Sequence, residues 1–191
     1  MGNVMFKVCS QAEKPVIADF LWSLKEEFRF AERQIVAEIT DLLFDKGGVI
    51  GGYRGDEMVG MFGYFLGEPS RDYANKAVGF IYIAGLAKPI RRTGAFRDGS
   101  HFLAATLKSR GVRELRCHAA AGDPYTNRLY AYFGQPIAKE KNRRGDTCIL
   151  YANSIDAVLA NLARGKKHAN PRTATKGGDN HDVVAVSFTE Q

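Results

Sequence analysis

One run of residues has the composition of an anion site. Arg91-Arg92-Thr93-Gly94-Ala95-Phe96-Arg97 is a basic, glycine-containing turn between an apolar strand, Val78 to Ala87, and a helical stretch, Gly99 to Arg110. A turn that opens a helix directs unpaired backbone N–H groups outward, and the positive end of the helix favours negative charge. With three arginines beside it, this turn suits a phosphate-bearing ligand. Two further side chains have proton chemistry. His118 carries an imidazole, whose ordinary pKa near neutrality suits general-base work. Tyr130 places a hydroxyl on a short aromatic helix. On sequence grounds each serves equally well as part of a core. Asp45, Asp56 and Asp72 stand apart in turns or loops, without the clustering a metal needs. No GxxxxGK[ST], HExxH or GxSxG sequence occurs.

These residues share one segment, Ala77 to Gly134. Its pattern is an apolar strand, the basic turn, a helix with Phe102, Leu103 and Leu107 inward, and a second strand, Val112 to Ala119. A short helix follows and ends in Phe133-Gly134. That is a βαβα unit, and the second strand is expected to run parallel to the first. Asp123 is a natural N-cap for the last helix, with Pro124 at its first position. Leu129, Tyr130, Tyr132 and Phe133 supply the aromatic load.

Upstream, Val4 to Cys9 reads as a strand, and Ser10 with Glu13 has the spacing of a capping box. Val16, Ile17, Phe20, Leu21 and Leu24 mark the inner face of a first helix. After a break at residues 28–32, Ile35, Val36, Ile39, Leu42 and Leu43 mark a second, stopped by Gly47-Gly48. Val49–Tyr53 and Met58–Leu66 form a hairpin around Arg54-Gly55-Asp56-Glu57. Three glycines near its second strand point to a bulge or a close backbone approach. The strand from Val78 is apolar on both faces and therefore central. Ile137–Lys141 and Thr147–Ala152 form a last hairpin, and Ser154 caps a final helix, Ile155 to Ala163.

The expected organisation is one domain over residues 1–164 and a flexible basic tail over 165–191. Within the tail, GKKHANPRTATKGGDNH lacks the apolar side chains to offset its chain entropy, and DVVAVSF has the composition of a strand. The net charge of +6 and pI of about 9.3 favour polyanions as partners. No apolar run approaches the roughly 20 residues of a membrane span, and the N-terminus lacks the apolar core of a secretory signal. Cys9, Cys117 and Cys148 have no CxxC spacing and read as reduced thiols in a cytoplasmic protein.

The element order β-α-α-β-β-β-α-β-α-β-β over residues 4–152 resembles the GNAT superfamily of N-acetyltransferases, and TNRLYAYFG is similar to the family's LY-x-x-x-GF segment. The resemblance implies an α/β fold with a mixed, mostly antiparallel central sheet, a splayed pair of parallel strands and flanking helices. It also implies acetyl-CoA as co-substrate. The main chain around Ile83, Ala84 and Leu86 would hold the pantetheine arm. Arg91, Arg92, Thr93, Gly94, Ala95 and Arg97 would hold the phosphates. Tyr130 falls where the family places the tyrosine that protonates the departing thiolate.

Two departures are visible. The family turn is Arg/Gln-x-x-Gly-x-Gly/Ala, and here Phe96 occupies the last small position. The family often carries a glutamate base on the strand before the turn. Here that strand has no carboxylate and only the Tyr82 hydroxyl, which leaves His118 as the substitute. The implied activity is acyl transfer from acyl-CoA to a primary amine. Two alternatives stay open: a fold that has lost the reaction and serves as a bacteriophage virion or assembly component, and a basic nucleic-acid-binding module. A protein partner held by the tail is a further expectation; a membrane is not.

Overall fold

The computed structural model describes residues 3–131, 133–141 and 145–164. The expected tail from Gly165, with its terminal strand, lies outside them, as do Tyr132 and residues 142–144 at the tip of the expected last hairpin. The described residues form seven strands: β1 (Met5–Val8), β2 (Gly47–Arg54), β3 (Glu57–Leu66), β4 (Val78–Leu86), β5 (Glu114–Ala120), β6 (Gln135–Lys141) and β7 (Thr147–Ser154). They form one sheet in the order β1-β2-β3-β4-β5-β7-β6. Every neighbouring pair is antiparallel except β4 and β5, which run parallel. The fold is therefore the mixed, mostly antiparallel α/β architecture that the family resemblance implies.

Helices cover both faces. On one, α1 (Lys14–Ser23) and α3 (Arg33–Lys46) bury Ile17, Phe20, Leu21, Val36, Ile39 and Leu43 against Val49, Phe65 and Phe80 of the sheet. On the other, α4 (Ala95–Ser109) and α6 (Ile155–Arg164) bury Leu103, Leu107, Val158 and Leu162 against Ile50, Phe62, Leu115 and Cys117. Each such side chain contributes about 1.5–3 kcal/mol by leaving water. β4 lies between the two layers and is buried along its whole length, as its two-faced apolar pattern requires.

Several boundaries differ from the expected ones for local reasons. The Ser10–Glu13 capping box forms, but it opens a 3₁₀ turn, Gln11–Glu13, that leads into α1. Val16 is 44% exposed because Ile17, Phe20 and Leu21 already fill the arc that faces the sheet. The break after α1 holds a further helical turn, α2 (Lys25–Phe28). Helix α4 starts at Ala95 rather than Gly99. Gly94, at φ 87, supplies the left-handed entry. Gly99 sits inside the helix because a Cβ there would come within 2.4 Å of the Phe62 ring. That glycine answers to packing and not to helix termination.

One irregularity reshapes the centre of the sheet. Gly63 pairs with Ile83 and Tyr64 with Ile81, so Tyr82 bulges out of the β3–β4 ladder. In a regular strand Tyr82 and Ile83 would face opposite sides. Here both join the core on the α1–α3 side, while Ile81 and Ala84 join the α4–α6 side. A bulge bends its strand and sharpens the local twist.

Candidate functional site

The bend coincides with the end of the parallel ladder. β4 and β5 pair from Val78 with Glu114 to Ile81 with Cys117 and no further, although β4 continues to Leu86 and β5 to Ala120. β7 holds β5 on its other side through Ala120 with Cys148, and β3 holds β4 through Leu86 with Gly60. The two strands therefore part, each anchored to a different half of the sheet. Above Ile81 and Cys117 the facing main-chain groups have no ladder partner. Ile83, Ala84 and Leu86, the expected pantetheine residues, all lie on the parted stretch of β4. The Leu86 carbonyl accepts a hydrogen bond from Arg91 Nε at 2.9 Å.

The expected phosphate turn stands at the top of this opening. Its backbone is unusual: Arg92 has φ 65 and Gly94 φ 87, two left-handed residues in three positions. For arginine that conformation is disfavoured, and strain of this kind gathers where a main chain is shaped for a ligand. The amides of Thr93, Gly94, Ala95 and Phe96 have no acceptor among the described residues. The Thr93 hydroxyl donates to the Ile90 carbonyl at 2.6 Å and ties the turn to the strand end. Arg97 Nη2 lies over Gly94, where an added Cβ would approach it to 3.3 Å. A concave run of unpaired amides at a helix start, with arginines beside it, is a nest for an anion.

Arg91 and Phe96 take separate paths. Arg91 turns away from the nest and forms an ion pair with Glu27 of α2, 2.6 Å long and with both side chains largely buried. Phe96 points under its own helix. Its ring centroid lies 5.3 Å from that of Phe62 on β3 and 5.9 Å from that of Phe133. The side chain thus packs in the core, and the amides around it stay open.

Tyr130 and His118 occupy opposite faces of β5. Tyr130 is the last residue of α5 (Pro124–Tyr130), a helix started by Asp123, whose carboxylate accepts from the Thr126 amide. Its ring packs on Phe133 and Tyr151, and it lies close enough to Cys117 to couple with it electrostatically. The side chain is wholly buried, and its hydroxyl has no hydrogen-bond partner among the described residues. Burial, with the nearby Cys117 and Asp123, pushes its pKa well above the ordinary value, so it stays protonated. Burial also pushes the Cys117 thiol up. His118 is the first residue of β5 past the last paired rung. Its ring stands edge-on to Phe80 at 5.2 Å, and Nε2 lies 3.1 Å from Glu140 Oε2 of β6.

Two residues of this region, Glu27 and Glu140, carry no signal in the sequence. They become visible only once α2 and β6 are placed beside Arg91 and His118. Tyr82 is displayed by a bulge whose position the three nearby glycines hint at without fixing. Among the described residues no group of three His, Cys, Asp or Glu side chains is placed to hold a metal, and no helix is long and apolar enough to cross a membrane. Cys9, Cys117 and Cys148 are buried thiols with no disulfide among them.

No protein-family model matches the chain, and no curated protein matches its sequence. Solved structures do match. A Desulfovibrio desulfuricans protein assigned to the GNAT family of acetyltransferases superposes with TM-score 0.65 at 19% identity, over 80% of this chain and 99% of its own. The ribosomal-protein-S18-alanine N-acetyltransferase of Escherichia coli gives 0.60 at 15%, over 80% and 94%. An aminoglycoside 6'-N-acetyltransferase complexed with coenzyme A gives 0.61 at 13%, over 79% and 97%. The parted parallel strands and these superpositions agree: the chain has the fold of the GNAT acetyltransferases.

Proposed function

We propose that this protein transfers an acyl group, acetyl in the simplest case, from acyl-CoA to a primary amine by direct attack on the thioester. The observation that carries the reading is the parting of β4 and β5 above Ile81 and Cys117, beside a buried Tyr130 hydroxyl with no partner among the described residues. The main chain of Ile83, Ala84 and Leu86 on the parted stretch of β4 would align the pantetheine arm, with the Leu86 carbonyl already taken by Arg91. The amides of Thr93 to Phe96, with Arg92 and Arg97, would receive the diphosphate; Arg91, held by Glu27, would brace the turn from behind. A coenzyme A complex among the matching folds supports the choice of donor.

In this reading the amine nitrogen bonds to the thioester carbon, the C–S bond breaks, and the thiolate takes the Tyr130 proton. The buried phenol still carries its proton for that step. Its raised pKa makes it a weaker acid than an ordinary tyrosine, so the transfer depends on the thiolate forming beside it. The test is turnover of acetyl-CoA with a primary amine, followed by thiol release. Tyr130→Phe should lower kcat about 10²-fold and, by removing an unsatisfied buried hydroxyl, leave the protein at least as stable. Unchanged kcat removes Tyr130 from the mechanism.

A second reading keeps the fold without the reaction, as in a bacteriophage virion or assembly protein. The commitment of Arg91 to Glu27 favours it, because the first arginine of the turn then serves structure. A role for Lys139, Lys141 and the basic C-terminal segment in holding a protein partner or nucleic acid accords with either reading, and its mark would be a steep loss of affinity with salt.

A further inference from the structure

A cavity of about 390 Å³ opens beside the nest, between the start of α4, the start of β1 and the end of β2. Thr93, Ala95 and Asp98 form its helix wall, so it shares two residues with the nest. Asn3, Val4 and Phe6 form another wall, and Arg54, the last residue of β2, completes the lining. We infer that this cavity takes the nucleoside end of the acyl donor, and that Arg54 binds its ribose phosphate and so selects donors that carry one. The inference rests on the acyl-transfer reading and adds to it a binding residue outside the turn.

Arg54 sets the cavity apart. Tyr53 packs against the α1–α3 core, and strand alternation turns the next side chain to the α4 face. There the guanidinium makes no ion pair or hydrogen bond with any described residue, and its Nε is buried without a partner. Buried polar groups are almost always satisfied, and a charged donor left without an acceptor is the costliest kind to leave so. An anionic oxygen supplied by a ligand removes that cost. Arg91, by contrast, is already held by Glu27. Among the described residues lining the cavity, Arg54 is the one cation.

The rest of the lining suits a nucleoside better than a free inorganic anion. The volume falls in the range of small-molecule sites, and such sites combine apolar walls with a few polar groups. Val4 and Phe6 supply apolar surface on which a base can lie, and an aromatic ring stacks on any base. Gly52, paired with Phe6 across the ladder, leaves room for that ring: a Cβ there would come within 2.7 Å of it. Asp98 accepts hydrogen bonds only, so it suits an exocyclic amino group such as that of adenine and disfavours a phosphate. Arg97 lies 3.4 Å from that carboxylate and offsets part of its charge. Arg54 and Asp98 both line the cavity yet do not pair with each other. One therefore answers an anion and the other a donor on the same ligand.

Continuity with the nest favours the donor over an unrelated nucleotide. A diphosphate on the amides of Thr93 to Phe96 would lead the ribose past Ala95, the smallest side chain on the helix wall, toward Arg54. The guanidinium fork matches two oxygens of a phosphate at once, which a lysine in its place could not do.

The experiment is titration calorimetry with coenzyme A and with dephospho-coenzyme A, which lacks the ribose phosphate, on wild type, Arg54→Gln and Arg54→Lys. Wild type should bind coenzyme A about 10-fold more tightly than the dephospho form, or better. Arg54→Gln should weaken coenzyme A about 10-fold and leave the dephospho form within about twofold, so that the preference disappears. Arg54→Lys, which keeps the charge and loses the fork, should retain a preference of about threefold. Equal wild-type affinity for the two forms, or a preference that survives Arg54→Gln, overturns the assignment. The wild-type comparison needs no variant, so the test stands even where a substitution prevents folding. Binding of both forms with equal strength refutes the role of Arg54 and spares the acyl-transfer reading, whereas no binding of either form refutes that reading and the cavity's role with it.

Discussion

Arg91 reaches from the end of β4 to Glu27 on α2, placing one guanidinium nitrogen 2.6 and 3.0 Å from the two carboxylate oxygens while its Nε holds the Leu86 carbonyl. The pair bolts the turn at residues 91–94 to the helical layer on the other side of the sheet. Breaking a largely buried pair leaves one charge without its partner and costs more than the pair contributes intact. Arg91→Ala and Glu27→Ala are each expected to lower stability by about 3 kcal/mol, and the double variant by much less than their sum. Urea unfolding of the four proteins in the cycle checks it; additive losses would mean that the two side chains do not act together.

Phe96 occupies the position where the family turn has a small residue, yet its ring lies between Phe62 and Phe133. Phe96→Ala should therefore cost about 3 kcal/mol of core packing and leave affinity for coenzyme A within about threefold. Thermal melts and calorimetry on the same sample decide it. A variant that gains affinity tenfold or more would show that the ring obstructs the nest.

Glu13 ties β1 to β2 at the far edge of the sheet. Burial alone would raise its pKa, but the Lys7 ammonium at 2.9 Å, the Ser10 amide and the Tyr53 hydroxyl outweigh that and hold it at about 2. The folded value lies below the ordinary 4.5, so the carboxylate's contribution to stability is complete above about pH 4.5 and disappears as pH falls toward 2. Wild type should melt higher than Glu13→Gln near neutrality, and the two curves should converge across that window. Parallel curves down to pH 2 would show that the network adds nothing.

Much of this architecture is legible in the sequence because it follows from short-range rules. The alternation in β5, the Asp123-Pro124 helix start and the Ser10–Glu13 box each act over a few residues, and each appears where it is expected. The start of α4 is not legible in the same way: Gly99 reads as a helix boundary, and only the approach of Phe62 shows why a glycine belongs inside the helix. Direction is harder still. Nothing local distinguishes an Arg91 that faces a phosphate from one that faces Glu27, 64 residues away. The same holds for Phe96, whose partners come from β3 and from the turn after α5, and for His118, whose carboxylate belongs to a strand two places along the sheet. Sequence identifies the residues with chemical capacity; the sheet order decides which face each one serves.

The central claim is that the strained turn above the parted strands receives the diphosphate of an acyl-CoA. Titration calorimetry with coenzyme A, and with its desulfo analogue to set the thiol aside, tests it most directly. Both should bind with a Kd well below about 1 mM, and Gly94→Val, which adds bulk at a left-handed position facing Arg97, should abolish the heat while the fold persists by circular dichroism. No heat from either ligand at millimolar concentration would contradict the account.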